Sequence, residues 1–190
     1  MHVEWTVKEL NAGKHVLAEK PIAMQAAEFD TLIAARDATG LLAAEAYMIV
    51  HHPQWQRARQ MVVDGAIGQV VHITGAFSYD NSDDPQNIRN QAAMGGGGLR
   101  DIGVYVLGSA RYVMGAELEN ISAKIRLESG FDTFASMQGT MAGASYSAYV
   151  STRMHPHQEM VFHGSEGLLR LTAPFNANIF GEARIELHQP

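Results

Sequence analysis

Gly13-Lys14-His15-Val16-Leu17-Ala18-Glu19-Lys20-Pro21 decides how the first third of the chain is read. A short apolar run, residues 15–18, follows a glycine and ends in a turn that proline fixes, which is the pattern of a buried strand and its carboxyl end. Before it, Val3, Val7 and Leu10 are spaced for one face of a helix, and residues 11–13 supply the stop. After it, residues 26–39 repeat apolar side chains at Phe29, Leu32, Ile33 and Ala34, with Gly40 as terminator, and residues 41–48 form a second apolar strand. Helix and strand alternate, so the two strands are expected to pair in parallel. Two strands are too few for a stable open sheet, so residues 1–50 read as the C-terminal remnant of a doubly wound domain.

Further along, Pro53 opens a helix through Trp55, Ala58, Met61 and Val62 to the Asp64-Gly65 stop. The pattern changes near residues 50–67. Residues 70–79 read as a long strand, residues 80–93 as an irregular polar stretch leading to Gly95-Gly96-Gly97-Gly98, and residues 101–114 as a helix. The remainder alternates as strands over 121–127, 134–140, 145–152, 159–163 and 168–172, joined by turn residues such as Gly130, Gly143 and Gly164-Ser165. The fold class expected is therefore α/β followed by α+β: a Rossmann remnant, then, over residues 51–190, an incomplete domain with an open, mainly antiparallel mixed β-sheet.

Composition removes several classes of function. The net charge is −6 with the acids scattered, so no surface is suited to a row of nucleic-acid phosphates. There is no cysteine, which excludes a disulfide framework, a thiolate nucleophile and cysteine-ligated zinc or iron–sulfur centres, and fits a cytoplasmic protein. No apolar stretch reaches the length of a bilayer span, so no membrane partner is expected.

Two constellations can carry chemistry. Glu19-Lys20-Pro21 places a lysine at a strand's carboxyl end, the edge at which open α/β sheets bind ligands. Lys20 there can donate to a substrate oxygen and lower the pKa of a neighbouring hydroxyl, or it can be a solvated lysine in a tight turn. The second is residues 95–105, Gly-Gly-Gly-Gly-Leu-Arg-Asp-Ile-Gly-Val-Tyr. The glycines allow close backbone approach to a ligand or another strand, and Asp101, at a helix start, can cap it. Asp101 and Tyr105 are four residues apart and share a helical face, so a carboxylate and a phenol can face one reacting hydroxyl. The glycine run is not a P-loop, because no lysine followed by serine or threonine comes at the required spacing.

In this order the two motifs resemble those of the glucose-fructose oxidoreductase and inositol dehydrogenase family (Gfo/Idh/MocA), within it the dihydrodiol dehydrogenase and xylose dehydrogenase branch. Residues 13–21 match its lysine motif, and Asp101-Ile102-Gly103-Val104-Tyr105 its second motif, with tyrosine where inositol dehydrogenases carry histidine. Ala66-Ile67-Gly68 and His163-Gly164-Ser165-Glu166-Gly167 extend the likeness over nearly the whole chain. The resemblance implies bound NAD or NADP and hydride transfer at a secondary alcohol or hemiacetal carbon of a sugar, polyol or cyclic diol. It implies Tyr105 as acid/base, Lys20 as the group that polarises the substrate hydroxyl and tunes the tyrosine, and Asp101 as an orienting carboxylate. Glu19, Lys20 and Pro21 would lie on the cofactor side. A phenol with an ordinary pKa near ~10 needs a nearby cation before it accepts a proton at neutral pH, so Lys20 and Tyr105 are expected to meet at one bound alcohol. The family's opening strand, G-x-G-x-x-G turn and helix have no counterpart here, so the chain reads as truncated at the N-terminus and also at the C-terminus.

Arg89 and Asn90 either line the substrate pocket through hydrogen bonds to hydroxyls or belong to a solvated loop. His51 and His52 stand where many relatives carry an arginine, and adjacent histidines on an extended chain point apart, which favours a loop role. His155-Pro156-His157 lacks a third ligand nearby in sequence, so no metal is expected. The ten methionines suit core and interface gaps. The expected partner besides substrate is a second copy of the chain, docked through the sheet face. The alternative to an enzyme is a catalytically silent remnant that serves only subunit association.

Overall fold

The computed structural model describes residues 1–190, which divide into two compact units, Met1–Met48 and Ile49–Pro190.

In the first unit, helix α1 (His2–Asn11) leads to strand β1 (Val16–Ala18), helix α2 (Glu28–Thr39) and strand β2 (Ala43–Glu45). The two strands pair in parallel, Val16 opposite Ala43 and Ala18 opposite Glu45. Gly40 ends α2 in the left-handed conformation, φ 66°, which a residue without a Cβ adopts at no steric cost. Leu10, Ile22 and Leu32 form the unit's small core. The second strand is shorter than the apolar run 41–48, because Met48–His51 winds into a 3-10 turn.

The second unit opens with α3 (Pro53–Val63). His52 stands at its N-cap and accepts the Gln54 amide on Nδ1 at 3.2 Å, while Pro53 fills a position that needs no N–H donor. Strand β3 (Val70–Asp80) follows, then a polar loop containing single 3-10 turns at Ile88–Asn90 and Ala92–Met94. A π-helical turn, Leu99–Gly103, runs directly into α4 (Val104–Met114). The chain then forms β4 (Leu118–Glu128), β5 (Phe131–Met141), β6 (Ala144–Ser151), β7 (Arg153–Gly164) and β8 (Leu168–Thr172), a short helix α5 (Ala177–Phe180) and β9 (Arg184–His188).

Seven strands make one mixed sheet in the order β4-β5-β6-β3-β7-β8-β9. Only β3 and β6 pair in parallel, and every other neighbour is antiparallel. The open, mainly antiparallel sheet expected from the alternating pattern is thus observed. The strand at residues 184–188 was not foreseen, since Arg184-Ile185-Glu186-Leu187-His188 is short and carries three polar residues. It exists because β8 offers it a complete ladder, from Leu168 opposite His188 to Thr172 opposite Arg184.

Strand alternation sorts the side chains onto two faces. Ile73, Phe77, Ala135, Met137, Tyr146, Val150, Met160, Phe162, Leu169 and Leu171 are buried on the face that meets Trp55 and Ala58 of α3 and Val106, Ala110 and Val113 of α4. Gly75 lets α4 lie close to the sheet. A Cβ there would fall 2.7 Å from Met160 Sδ and 3.3 Å from Val106 Cβ. The other face has no helix over it. It carries His72, Thr74, Ser136, Gln138, Ser147, Tyr149, Glu159 and Arg170, and holds a shallow hollow of about 400 Å³.

Candidate active site

The lysine motif lies in the first unit. Glu19, Lys20 and Pro21 follow the last residue of β1, at the carboxyl end of the parallel pair, and the Lys20–Pro21 peptide is cis. The segment is tied down from both sides. The Ile22 amide donates to Glu45 Oε1 at the end of β2, at 2.8 Å, and His2 Nδ1 lies 2.9 Å from the Pro21 carbonyl. Glu19 is exposed, whereas Lys20 and Pro21 are half-buried. Loops at the carboxyl ends of parallel strands are where doubly wound sheets bind their ligands, and the motif occupies that edge.

Within the second unit, the structure brings Asp101 and Arg89 together. Arg89 Nε lies 2.8 Å from Asp101 Oδ2. The same carboxylate oxygen accepts the hydroxyl of Tyr79, at 2.6 Å. The Asp101 side chain is only 13% exposed, against 44% for Arg89. Asp101 does not cap the helix. Its own amide already donates to the Gly97 carbonyl inside the helical run, and its carboxylate turns to a cation and a phenol, stronger partners than free backbone amides. Burial works against the charge of Arg89, but the neighbouring Asp101 carboxylate outweighs it and raises the pKa above the usual guanidinium range. Burial, the hydrogen bond to Asp101 and the charge of that carboxylate together push the Tyr79 phenol far up, so Tyr79 stays protonated.

Tyr105 sits one helical turn beyond Asp101, in the first turn of α4. Its ring packs on an aromatic wall, with centroids 5.8 Å from Phe77 and 5.4 Å from Phe175. Phe175 in turn stacks on Phe77 at 5.2 Å and on Trp55 at 5.9 Å. Trp55 is anchored by its indole N–H, which donates to the Pro174 carbonyl at 2.8 Å. Phe77 and Phe175, the latter backed by Trp55, thus hold the Tyr105 ring in place.

Asn90 is spent within its own loop. Its amide N–H groups donate to the carbonyls of Asn81 and Asp84, each at 2.8 Å, and its oxygen accepts from Arg153 Nη2 at 3.0 Å. Arg153 also donates to Asn81 Oδ1 at 2.8 Å and to Glu128 at 3.0 Å, bracing the loop against β4. The glycine run approaches protein. Asp132 Oδ2 accepts the Leu99 amide at 2.7 Å, and at Gly97, φ +122°, a Cβ would meet Asp132 Oδ1 at 2.1 Å. Tyr79, Asp132 and Arg153 escaped the sequence reading. Only Tyr79 left a signal, because it alternates in phase with the apolar Ile73 and Phe77 and so belongs to the helix-covered face.

An α/β unit with a lysine turn at its strand ends is followed by an open mixed sheet whose helix presents an aspartate and a tyrosine one turn apart. The chain belongs to the GFO/IDH/MocA oxidoreductase family: residues 55–170 match the GFO/IDH/MocA C-terminal domain, and residues 1–47 match the oxidoreductase family's NAD-binding Rossmann fold. An uncharacterized oxidoreductase of Rhizobium meliloti is 38% identical over 190 residues, covering 98% of this chain and 57% of the relative. The trans-1,2-dihydrobenzene-1,2-diol dehydrogenase of Mus musculus is 32% identical over 184 residues, 92% of this chain and 54% of the relative. Among solved structures, a 3-ketoreductase from Actinomadura kijaniata in complex with NADP and TDP-benzene superposes with a TM-score of 0.89 at 31% identity, covering 99% of this chain and 58% of that one. The chain therefore spans a little over half the length of the relatives it matches.

Proposed function

We propose that the chain serves an NAD(P)-dependent oxidoreductase that transfers a hydride between the nicotinamide and a secondary alcohol or hemiacetal carbon of a sugar, polyol or cyclic diol. The observation that carries this reading is a half-buried, ion-paired Asp101 with Tyr105 one helical turn further on, against an aromatic wall. The relatives that bear on substrate are a diol dehydrogenase and a 3-ketoreductase, the latter solved with NADP.

When bound, NAD or NADP supplies the hydride acceptor or donor. The chain's own residues handle the proton and the alignment. Tyr105 takes the proton from the alcohol oxygen during oxidation and returns it during reduction. Lys20 is the cation that polarises a substrate hydroxyl, and Glu19 and Pro21 complete the cofactor-side turn. Asp101 orients the substrate. The rings of Phe77 and Phe175 behind Tyr105 suit a substrate with an apolar ring face.

The helix-free face of the sheet is the proposed docking surface for a second copy of the chain. It is polar but ordered, with His72 Nδ1 2.6 Å from Ser145 Oγ, and with Arg170 paired to both Glu159 and Glu186. No helix is long and apolar enough to cross a membrane, and a cytoplasmic setting is part of the proposal.

The test is to follow nicotinamide absorbance with NAD or NADP across a panel that includes D-xylose and trans-1,2-dihydrobenzene-1,2-diol. Tyr105→Phe should lower turnover by roughly 10²-fold or more while leaving cofactor affinity unchanged. Near-normal turnover in that variant would remove the tyrosine from the mechanism.

A further inference from the structure

We propose that Tyr79 is a positioning residue of this site, and that it works with Arg89 to hold the Asp101 carboxylate, so that both act on the reaction only through Asp101. The inference rests on the reading above and changes one part of it: Arg89 acts as the counter-ion of Asp101 and not as a ligand of the substrate.

The geometry is specific. Tyr79 Oη and Arg89 Nε both donate to Asp101 Oδ2, at 2.6 and 2.8 Å. Two donors converging on one oxygen fix the plane of the carboxylate. The three residues come from different elements: Tyr79 from the end of β3, Arg89 from the 3-10 turn Ile88–Asn90, and Asp101 from the π-helical turn before α4. π-helical turns recur where a side chain has to be re-aimed at a functional site.

The cation is itself braced. The Arg89 amide donates to Asn87 Oδ1 at 3.1 Å, and neighbouring Asn90 is gripped by Arg153 from β7. Arg153 thus acts on the site at one remove, by fixing the turn that carries Arg89. Tyr79 faces inward beside Phe77, with ring centroids 6.4 Å apart in an edge-on arrangement, so its hydroxyl has little freedom to leave Asp101. A tyrosine committed in this way is unsuited to shuttling protons, which separates its role from that of Tyr105.

A double-mutant cycle on the full chain with NADPH or NADP⁺ tests the proposal, using the alcohol of the panel above that is oxidised fastest. Tyr79→Phe should reduce kcat/KM about tenfold or more, the effect of losing one hydrogen bond to a charged group. In an Asp101→Ala background the same change should cost less than about twofold, because a residue acting through Asp101 has no acceptor left to hold. Cofactor affinity, read from NADPH fluorescence, should not move. Equal fold-losses in both backgrounds, or no loss in either, would overturn the proposal.

A second readout is independent of activity. Exchange of the Arg89 Nε proton, followed by ¹⁵N NMR, should be slow in the parent protein, several-fold faster in Tyr79→Phe and fastest in Asp101→Ala. Unchanged exchange in Tyr79→Phe overturns the positioning role whatever the kinetics. If Tyr79→Phe fails to fold, Arg89→Gln takes its place in the cycle with the same expectation. Asp101→Ala and Tyr105→Phe variants that keep near-normal turnover would instead refute the proposed function, and the NMR result would still decide the positioning question.

Discussion

Tyr146 is among the largest fully buried side chains of the protein. Its side chain is 2% exposed on the helix-covered face of the sheet, and its hydroxyl has no hydrogen-bond partner in the chain. Burial pushes the phenol well above its ordinary pKa. A raised pKa in the folded state means that stability is intact below the unfolded value near ~10 and falls as pH climbs beyond it, because only the unfolded chain releases the proton readily. Tyr146→Phe removes an unsatisfied buried hydroxyl while keeping the ring. Urea unfolding at neutral pH should therefore show a stability unchanged or raised by up to about 1 kcal/mol. The loss of stability above pH ~10 should be shallower in the variant than in the parent. A drop of several kcal/mol at neutral pH would mean that the hydroxyl has a partner after all.

Elements owe their positions to a few polar ties. The polar loop between β3 and α4 is closed at its far end by Asp132 of β5, which accepts the Leu99 amide and lies against Gly97 and Gly98. This tie holds the start of the helical run that carries Asp101 and Tyr105. Asp132→Ala should cost about 1–3 kcal/mol, because a half-buried N–H loses its acceptor. The Leu99 amide should exchange faster, and kcat/KM should fall together with stability. The loop's existence was legible in its run of polar residues and glycines. Its anchors were not, because Asp132 and Arg153 lie well along the sequence from the residues they hold, and nothing local in either side chain's surroundings announces a partner.

At the scale of the whole molecule, the second unit is a sheet with one face closed by helices and the other bare. The bare face carries Tyr149 stacked on Phe134 at 6.4 Å, with Ser147 and His72 beside it. If this face joins two copies, sedimentation should report an oligomer, and Tyr149→Glu should convert it to monomer by burying a charge without a counter-ion. A variant that stays oligomeric would move the interface elsewhere. The helix-covered face needs no partner, since Trp55, Val106, Phe162 and Leu171 are already buried within the unit.

By itself the sequence determined the alternation of helix and strand in residues 1–48, the parallel pair, and the long antiparallel run that follows. Periods of 3.6 and 2 are local properties and survive being read one residue at a time. It also determined the two motifs that mark the family, because each is contiguous. The tertiary structure alone decided that β3 would sit between β6 and β7, and that Asp101 would turn from the helix start toward Tyr79 and Arg89. Both outcomes depend on pairings between distant segments. Hydrogen bonds and ion pairs of that kind are chosen by the packing that brings their partners within reach, and a linear pattern carries no record of them.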